Sequence, residues 1–327
     1  MSAHVLLARL DSVGDVLLMG PAVRAVAAGA DRVTLLAGPR GRSAADLLPG
    51  VDRVLEWPAP WIEPEPDPVD PEHLRLLVKM ADDVDRALIF TSFHQSPLPL
   101  ALLLRMAGVP WIGAISDDYP GSLLDLRHRV PDDIPEAERA LSLTTAAGYT
   151  PRGFHLAVRR PLPDPGLPAG YLVVHPGTSV PARAWPPGHC AELVELLARH
   201  GHPVVVTGSP GERELTSRVA GRHGVDLGGR TTLEELAGVL AGARVVVAGN
   251  TGPAHLAAAV GTPVVSLFAP TVPAVRWAPY GVPHRLLGDQ HAACAGTRAT
   301  VCPVAGHPCL SSVVPAEVYE AIEEVRR

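Results

Sequence analysis

Twice along its length this chain runs through the same alternation of short apolar segments and amphipathic ones, and a ten-residue stretch holding four prolines, 159–168, separates the two runs. Apolar runs of strand length at 5–10, 32–36, 51–57, 86–90 and 111–115 are followed by helical spacing at 16–28, 43–48, 72–84 and 99–107. The second run has strand segments at 171–175, 203–208, 225–227, 244–248 and 264–268, with helical ones at 188–199, 211–221, 232–241 and 254–260 and a terminal helix at 315–325. Strands alternating with helices imply parallel βαβ units. The expected architecture is therefore α/β, with two doubly wound domains at 1–160 and 169–327 and the terminal helix 315–325 packing back on the first. A length of 327 residues fits, because one core rarely grows that large. A proline-rich acidic segment, 58–71, reads as a surface loop.

Composition excludes several classes. Hydrophobic residues make up 47% and charged residues 19%, which is globular rather than disordered. The net charge of −6 provides no positive field for nucleic acid or an anionic bilayer. No charged residue occurs from 245 to 275, yet that stretch contains Asn250, His255, three glycines and four prolines. So many breaks do not suit a lipid-exposed helix. The apolar run near the N-terminus is too short for a signal sequence. The four cysteines are too few to staple a chain of this length. The expected location is cytoplasmic.

In doubly wound sheets, ligands bind beyond the carboxyl ends of the strands, and four post-strand loops carry chemistry. Asp11-Ser-Val-Gly-Asp15 is neither a G-x-G-x-x-G fingerprint nor a Walker loop. Asp15 there is either a helix cap or a general base. In the loop 175–186, Gly177, Thr178, Ser179 and Arg183 suit a diphosphate, or form a proline-braced turn with an exposed arginine. In the loop 207–214, Glu212 is a ribose ligand or, by default, a cap. The fourth loop, 248–255, holds the chain's only asparagine, Asn250, then Thr251, Gly252 and His255 at a helix start, an arrangement suited to an anion.

In this order and spacing, Arg9-Leu-Asp-Ser-Val-Gly-Asp15, His175-Pro-Gly-Thr178, Arg183-Ala-Trp-Pro186 and Gly249-Asn-Thr-Gly-Pro-Ala-His-Leu-Ala-Ala-Ala-Val-Gly261 resemble glycosyltransferase family 9, the heptosyltransferase family. The resemblance implies a GT-B fold, with two Rossmann-like domains facing across a cleft, acceptor in the first and nucleotide sugar in the second. It implies a metal-independent, inverting transfer, typically from ADP-heptose, with no cofactor beyond the donor. The family's catalytic carboxylate falls on Asp15. Its donor-binding positions fall on Thr178, Ser179, Arg183, Glu212, Thr231, Asn250, Thr251, Gly252 and His255. Two positions depart from the family pattern: Asn250 stands where Asp is frequent, and Arg183 near where Lys is frequent. A glycan or small-molecule acceptor would be met by Ser12, Gly14, His94, Gln95 and Arg127. A lipid-linked acceptor would add peripheral membrane association. The chain is expected to be a monomer. The alternatives are a GT-B sugar-nucleotide epimerase and a non-catalytic nucleotide-sugar-binding module.

Two features stand outside that assignment. The acid pairs Asp82-Asp83, Asp117-Asp118 and Asp132-Asp133 read as solvated loop or cap residues rather than metal ligands. Cys294, Cys302, His307 and Cys309 offer zinc-ligand chemistry without a C-x2-C pair; a loop packing near the cleft is the leading alternative.

Overall fold

The computed structural model describes residues 3–326 except 64, 67, 69 and 132. It divides into two compact units, Met1–Arg159 and Arg160–Arg327. The first unit has strands β1 (His4–Arg9), β2 (Arg32–Ala37), β3 (Arg53–Glu56), β4 (Arg86–Ile89), β5 (Trp111–Ile115) and β6 (Leu126–His128). They form one sheet in the order β3-β2-β1-β4-β5-β6, parallel throughout. The second unit has β7 (Leu172–His175), β8 (Val204–Val206), β9 (Gly224–Asp226), β10 (Val246–Gly249), β11 (Val264–Leu267) and β12 (His284–Leu287). Its order is β12-β11-β10-β7-β8-β9, again all parallel. Read from the opposite edge, this is the same order as in the first sheet.

A parallel sheet needs helices on both faces, so its inner strands are buried on both sides. Every residue of β1, β7, β10 and β11 is buried. Leu6, Ala8, Ile89 and Ile112 centre one core, and Val174, Val206, Val247 and Val265 the other. The strand order reverses between β1 and β4 and between β7 and β10. Those are the switch points at which such sheets bind ligands.

The structure departs from the sequence reading in several places. The helix expected at 16–28 is two helices, Val13–Leu18 and Gly20–Ala27, joined at Met19. Pro21 has no N–H, and its ring crowds the carbonyl four residues back, so the first helix cannot run through. Strands β6 and β12 and the helix Glu136–Ala146 were not expected. Both strands are short and incompletely buried edges with little apolar pattern. Arg127 and His128 accordingly lie on a strand. The terminal helix Pro315–Val325 spends its apolar face, Val318, Ala321 and Ile322, in the second unit's own core against the helix Pro187–Arg199. The uncharged stretch 245–275 becomes β10, the helix Gly252–Val260, β11 and a turn. Among the described residues, no helix is long and apolar enough to cross a membrane.

Of the loop expected at 58–71, residues 64, 67 and 69 lie outside the described residues, and Pro71 already begins a helix. Asp132 of the third acid pair also lies outside them.

Candidate functional site

In the first unit the chemistry gathers at the end of β1. The strand closes on Arg9, and Ser12 is the N-cap of the helix Val13–Leu18. The Ser12 side chain does not cap the backbone; its Oγ donates to Asp15 Oδ2 at 2.8 Å. The loop leaves little room to move. A Cβ on Gly38 would lie 2.3 Å from the Leu10 carbonyl oxygen, and one on Gly41 would lie 2.7 Å from that of Asp11. The two glycines let the loop after β2 press directly on the loop after β1.

Arg9 is buried and organises the cluster. Its Nε lies 2.8 Å from Asp11 Oδ2, its Nη2 3.0 Å from Asp15 Oδ1 and its Nη1 3.7 Å from Glu136 Oε2. Nη2 also donates to Ser92 Oγ at 2.9 Å. Burial opposes the arginine's charge, but Asp11, Asp15 and Glu136 outweigh it and hold the guanidinium protonated more firmly than usual. For Asp11 it is the charged form that is disfavoured. Burial raises its pKa, Arg9 opposes the rise, and the charge of Asp15 adds to it. Gln95 donates through Nε2 to Asp11 Oδ1 at 2.5 Å and accepts from the Ser92 backbone N–H at 3.0 Å. Side-chain exposure separates the three carboxylates: Glu136 is 2% exposed, Asp11 9% and Asp15 17%. Asp15 is the one most open to a substrate.

Sequence reasoning missed Arg9, Asp11, Ser92 and Glu136 as members of this group. One signal was present: a charged residue ending a wholly apolar strand requires buried partners. The acceptor-side candidates separate. Ser12 and Gln95 join the cluster, and Gly14 is buried in the helix's first turn. His94 is exposed and packs edge-on against Phe93 at 5.3 Å. Arg127 does not join. On β6, two strands from β4, it donates to the carbonyls of Ser116, at 3.0 Å, and Asp117.

In the second unit the loops after β7 and β10 meet. Arg183 sits in a short 3-10 turn, Pro181–Arg183, and its Nη1 donates to the Asn250 carbonyl at 3.2 Å. Asn250 directly follows β10, and the helix Gly252–Val260 starts two residues later with Thr251 as N-cap. No side chain caps that N-terminus; Pro253 has no N–H and the Ala254 N–H is turned onto the Thr251 carbonyl, so what this end offers an anion is its dipole and the Gly252 N–H. His255 is buried in its first turn. A small pocket here is lined by His175, Gly177, Arg183, Trp185, Gly249 and Leu267 among others. His175 is buried, its Nδ1 2.9 Å from Thr207 Oγ1. Burial lowers its pKa to about 4 against an opposing pull from Glu212, so it is neutral at pH 7.

Glu212 caps its helix: Oε2 accepts from Ser209 N–H at 2.7 Å and Ser209 Oγ at 2.8 Å. Its carboxyl also lies against Gly177, where a Cβ would come within 2.2 Å. The cap thereby borders the pocket. Asn250 makes a pair of bonds that an aspartate in its place could not. Its Nδ2 donates to the Ala269 carbonyl and its Oδ1 accepts from the Ala269 N–H, both at 3.3 Å, joining the ends of β10 and β11. Thr178 folds its hydroxyl onto Val180, and Ser179 is exposed. Thr231 follows the edge strand β9, just before the cap residue Thr232.

Among the described residues, no three His, Cys, Asp or Glu side chains form a metal-binding group. The His307 ring is already committed, with Nε2 3.1 Å from the Ala182 carbonyl oxygen. The thiols still sense one another. Burial, then the neighbouring Cys294 and Cys302, push Cys309 up to about 11.

The sequence profile of glycosyltransferase family 9 (heptosyltransferase) matches residues 116–306, more than half of the chain. The chain belongs to this family. Family 9 relatives include lipopolysaccharide heptosyltransferase 1 of Pseudomonas aeruginosa, 38% identical over 166 residues, a stretch covering 50% of this chain and 41% of that protein. The chain thus aligns with less than half the length of that relative. Among solved structures, Escherichia coli ADP-heptose lipopolysaccharide heptosyltransferase II superposes with a TM-score of 0.77 at 20% identity, covering 100% of this chain and 98% of that one. A family 9 glycosyl transferase of Veillonella parvula does so with a TM-score of 0.80 at 16% identity and the same coverage. These likenesses show the GT-B fold. Arg183, Asn250 and His255 fall inside the family match; Asp15 falls before it.

Proposed function

We propose that this family 9 chain transfers a sugar from a nucleotide diphosphate sugar, ADP-heptose in the first instance, to an acceptor hydroxyl with inversion and without a metal. The observation that carries the reading is Arg183 bonded to Asn250 at an uncapped helix N-terminus. A departing nucleoside diphosphate accumulates negative charge, and a guanidinium with the positive end of a helix dipole stabilises it where other enzymes use a cation. Thr251, Gly252 and His255 complete that cradle, with Glu212 at its border for the ribose. Asp15 is the general base. Arg9 and Ser12 each hold one of its oxygens, which fixes the carboxylate for removing the acceptor's proton as the new bond forms. Family membership favours transfer over epimerisation or simple binding. The acceptor is a glycan or a small alcohol. All four cysteines are free, which suits a reducing, cytoplasmic compartment.

A thermal-shift panel of ADP, GDP, UDP and their sugars tests the reading, because a ligand bound only by the folded chain raises the melting temperature. ADP and ADP-sugars are expected to raise it. A rise with UDP or GDP alone would move the donor to another nucleotide. Conversion of a free nucleotide sugar without any acceptor would restore the epimerase.

A further inference from the structure

The residues flanking Arg183 are held by a segment of the second unit to which the reaction assigns no role. Ala182 is 1% exposed, and both its backbone groups are taken by the stretch 289–313. Its N–H donates to the Thr300 carbonyl at 2.9 Å, and its carbonyl lies 3.1 Å from His307 Nε2. Two residues beyond Arg183, Trp185 Nε1 donates to the Val313 carbonyl at 3.0 Å. The Arg183 turn is therefore fastened on both sides, and its guanidinium is bonded to the Asn250 carbonyl.

His307 is the unusual member. A carbonyl only accepts, so Nε2 must carry the hydrogen. The residue adopts φ 51° and ψ 50°, directly after Gly306 at φ 78°. Left-handed backbone of this kind disfavours a side chain, and glycine is its natural occupant. An imidazole retained there, with its N–H on the residue next to Arg183, has a use other than shaping its own turn.

We propose that His307 is a positioning residue for the diphosphate cradle: by holding the Ala182 carbonyl it fixes where the Arg183 guanidinium points. This rests on the reading of Arg183 as the diphosphate ligand. His307 itself touches no substrate. Cys294, Cys302 and Cys309 belong to the same segment, Cys294 and Cys309 buried in it.

The test is ADP affinity measured by titration calorimetry on the full chain for wild type, His307→Gly, His307→Gln and Arg183→Ala. His307→Gly suits the backbone and deletes the N–H; it is expected to keep its melting temperature and weaken ADP roughly fivefold, the size of one lost hydrogen bond. His307→Gln returns an N–H at similar reach and is expected to bind within about twofold of wild type. If His307→Gly does not fold, His307→Asn, a side chain that left-handed backbone tolerates and that ends short of the imidazole's reach, replaces it with the same two readings. Wild-type affinity in His307→Gly with weakened binding in Arg183→Ala overturns the inference alone. So does a glutamine variant as weak as the glycine one. Wild-type affinity in Arg183→Ala overturns the nucleotide reading, and this inference with it.

Discussion

Arg9 Nη2 lies 3.0 Å from Asp15 Oδ1, and the same nitrogen donates to Ser92 Oγ, so one buried arginine at the end of β1 ties the proposed base to the loop after β4. Asp11 and Glu136 share that guanidinium. Removing one partner of a buried charge network leaves the others uncompensated. Arg9→Met is expected to lower unfolding stability by about 3 kcal/mol or more, read by urea denaturation. Arg9→Lys should recover part of it, because one ammonium cannot reach every partner. An Arg9→Met protein as stable as wild type would show that the carboxylates do not depend on it.

His175 sets a pH dependence. Its folded-state pKa is lowered from 6.5 to about 4, so its contribution is complete above pH 6.5. As the pH falls from 6.5 towards 4, the unfolded chain takes up a proton that the folded chain refuses. Stability should drop across that window with a slope of up to about 1.4 kcal/mol per pH unit from this group. Asp11, whose pKa is raised, works in the opposite direction, so the comparison must be with a variant. His175→Asn keeps a polar partner for Thr207 and should flatten the profile between pH 6.5 and 4; an unchanged slope would remove His175 from the account.

Asn250→Asp tests the stitch between β10 and β11. The carboxylate can accept from the Ala269 N–H but cannot donate to its carbonyl, which is buried. A loss of about 1–3 kcal/mol is expected in denaturant melts, together with weaker ADP binding from a negative charge beside the cradle. Tighter ADP binding by the variant would mean that the aspartate frequent in the family acts on the donor here too.

Gly177→Ala asks whether the cap and the pocket are one structure. The new methyl would overlap the Glu212 carboxylate, which must leave Ser209. Stability is expected to fall by about 1 kcal/mol, the usual worth of a cap. In Gly177→Ala/Glu212→Ala the two losses should not add, since the second change removes what the first collides with. Additive losses would show the contact to be incidental.

The inner strands β1, β10 and β11 were legible because burial on both faces leaves an unbroken apolar run. Strands β6 and β12 carry no such mark, since an edge strand is half solvated, and Leu-Arg-His alone does not distinguish strand from turn. The site divides the same way. The loops with Asp15, Arg183 and Asn250 announced themselves as glycine and polar residues directly after apolar strands. Glu136 gave no sign, because its meaning comes from Arg9, far away in the chain, and its helix was not expected. The pairing of Asn250 with Ala269 was equally silent, since one partner is only a backbone.

The most direct test of the account is turnover by Asp15→Asn alongside its ADP affinity. ADP release from ADP-heptose is followed with an acceptor that the wild type glycosylates, and ADP binding is measured by calorimetry on the same preparation. The expected result is a rate lowered by about 100-fold or more with ADP affinity within a few-fold of wild type. Wild-type turnover by Asp15→Asn would contradict the account, because the proton would then leave by another group.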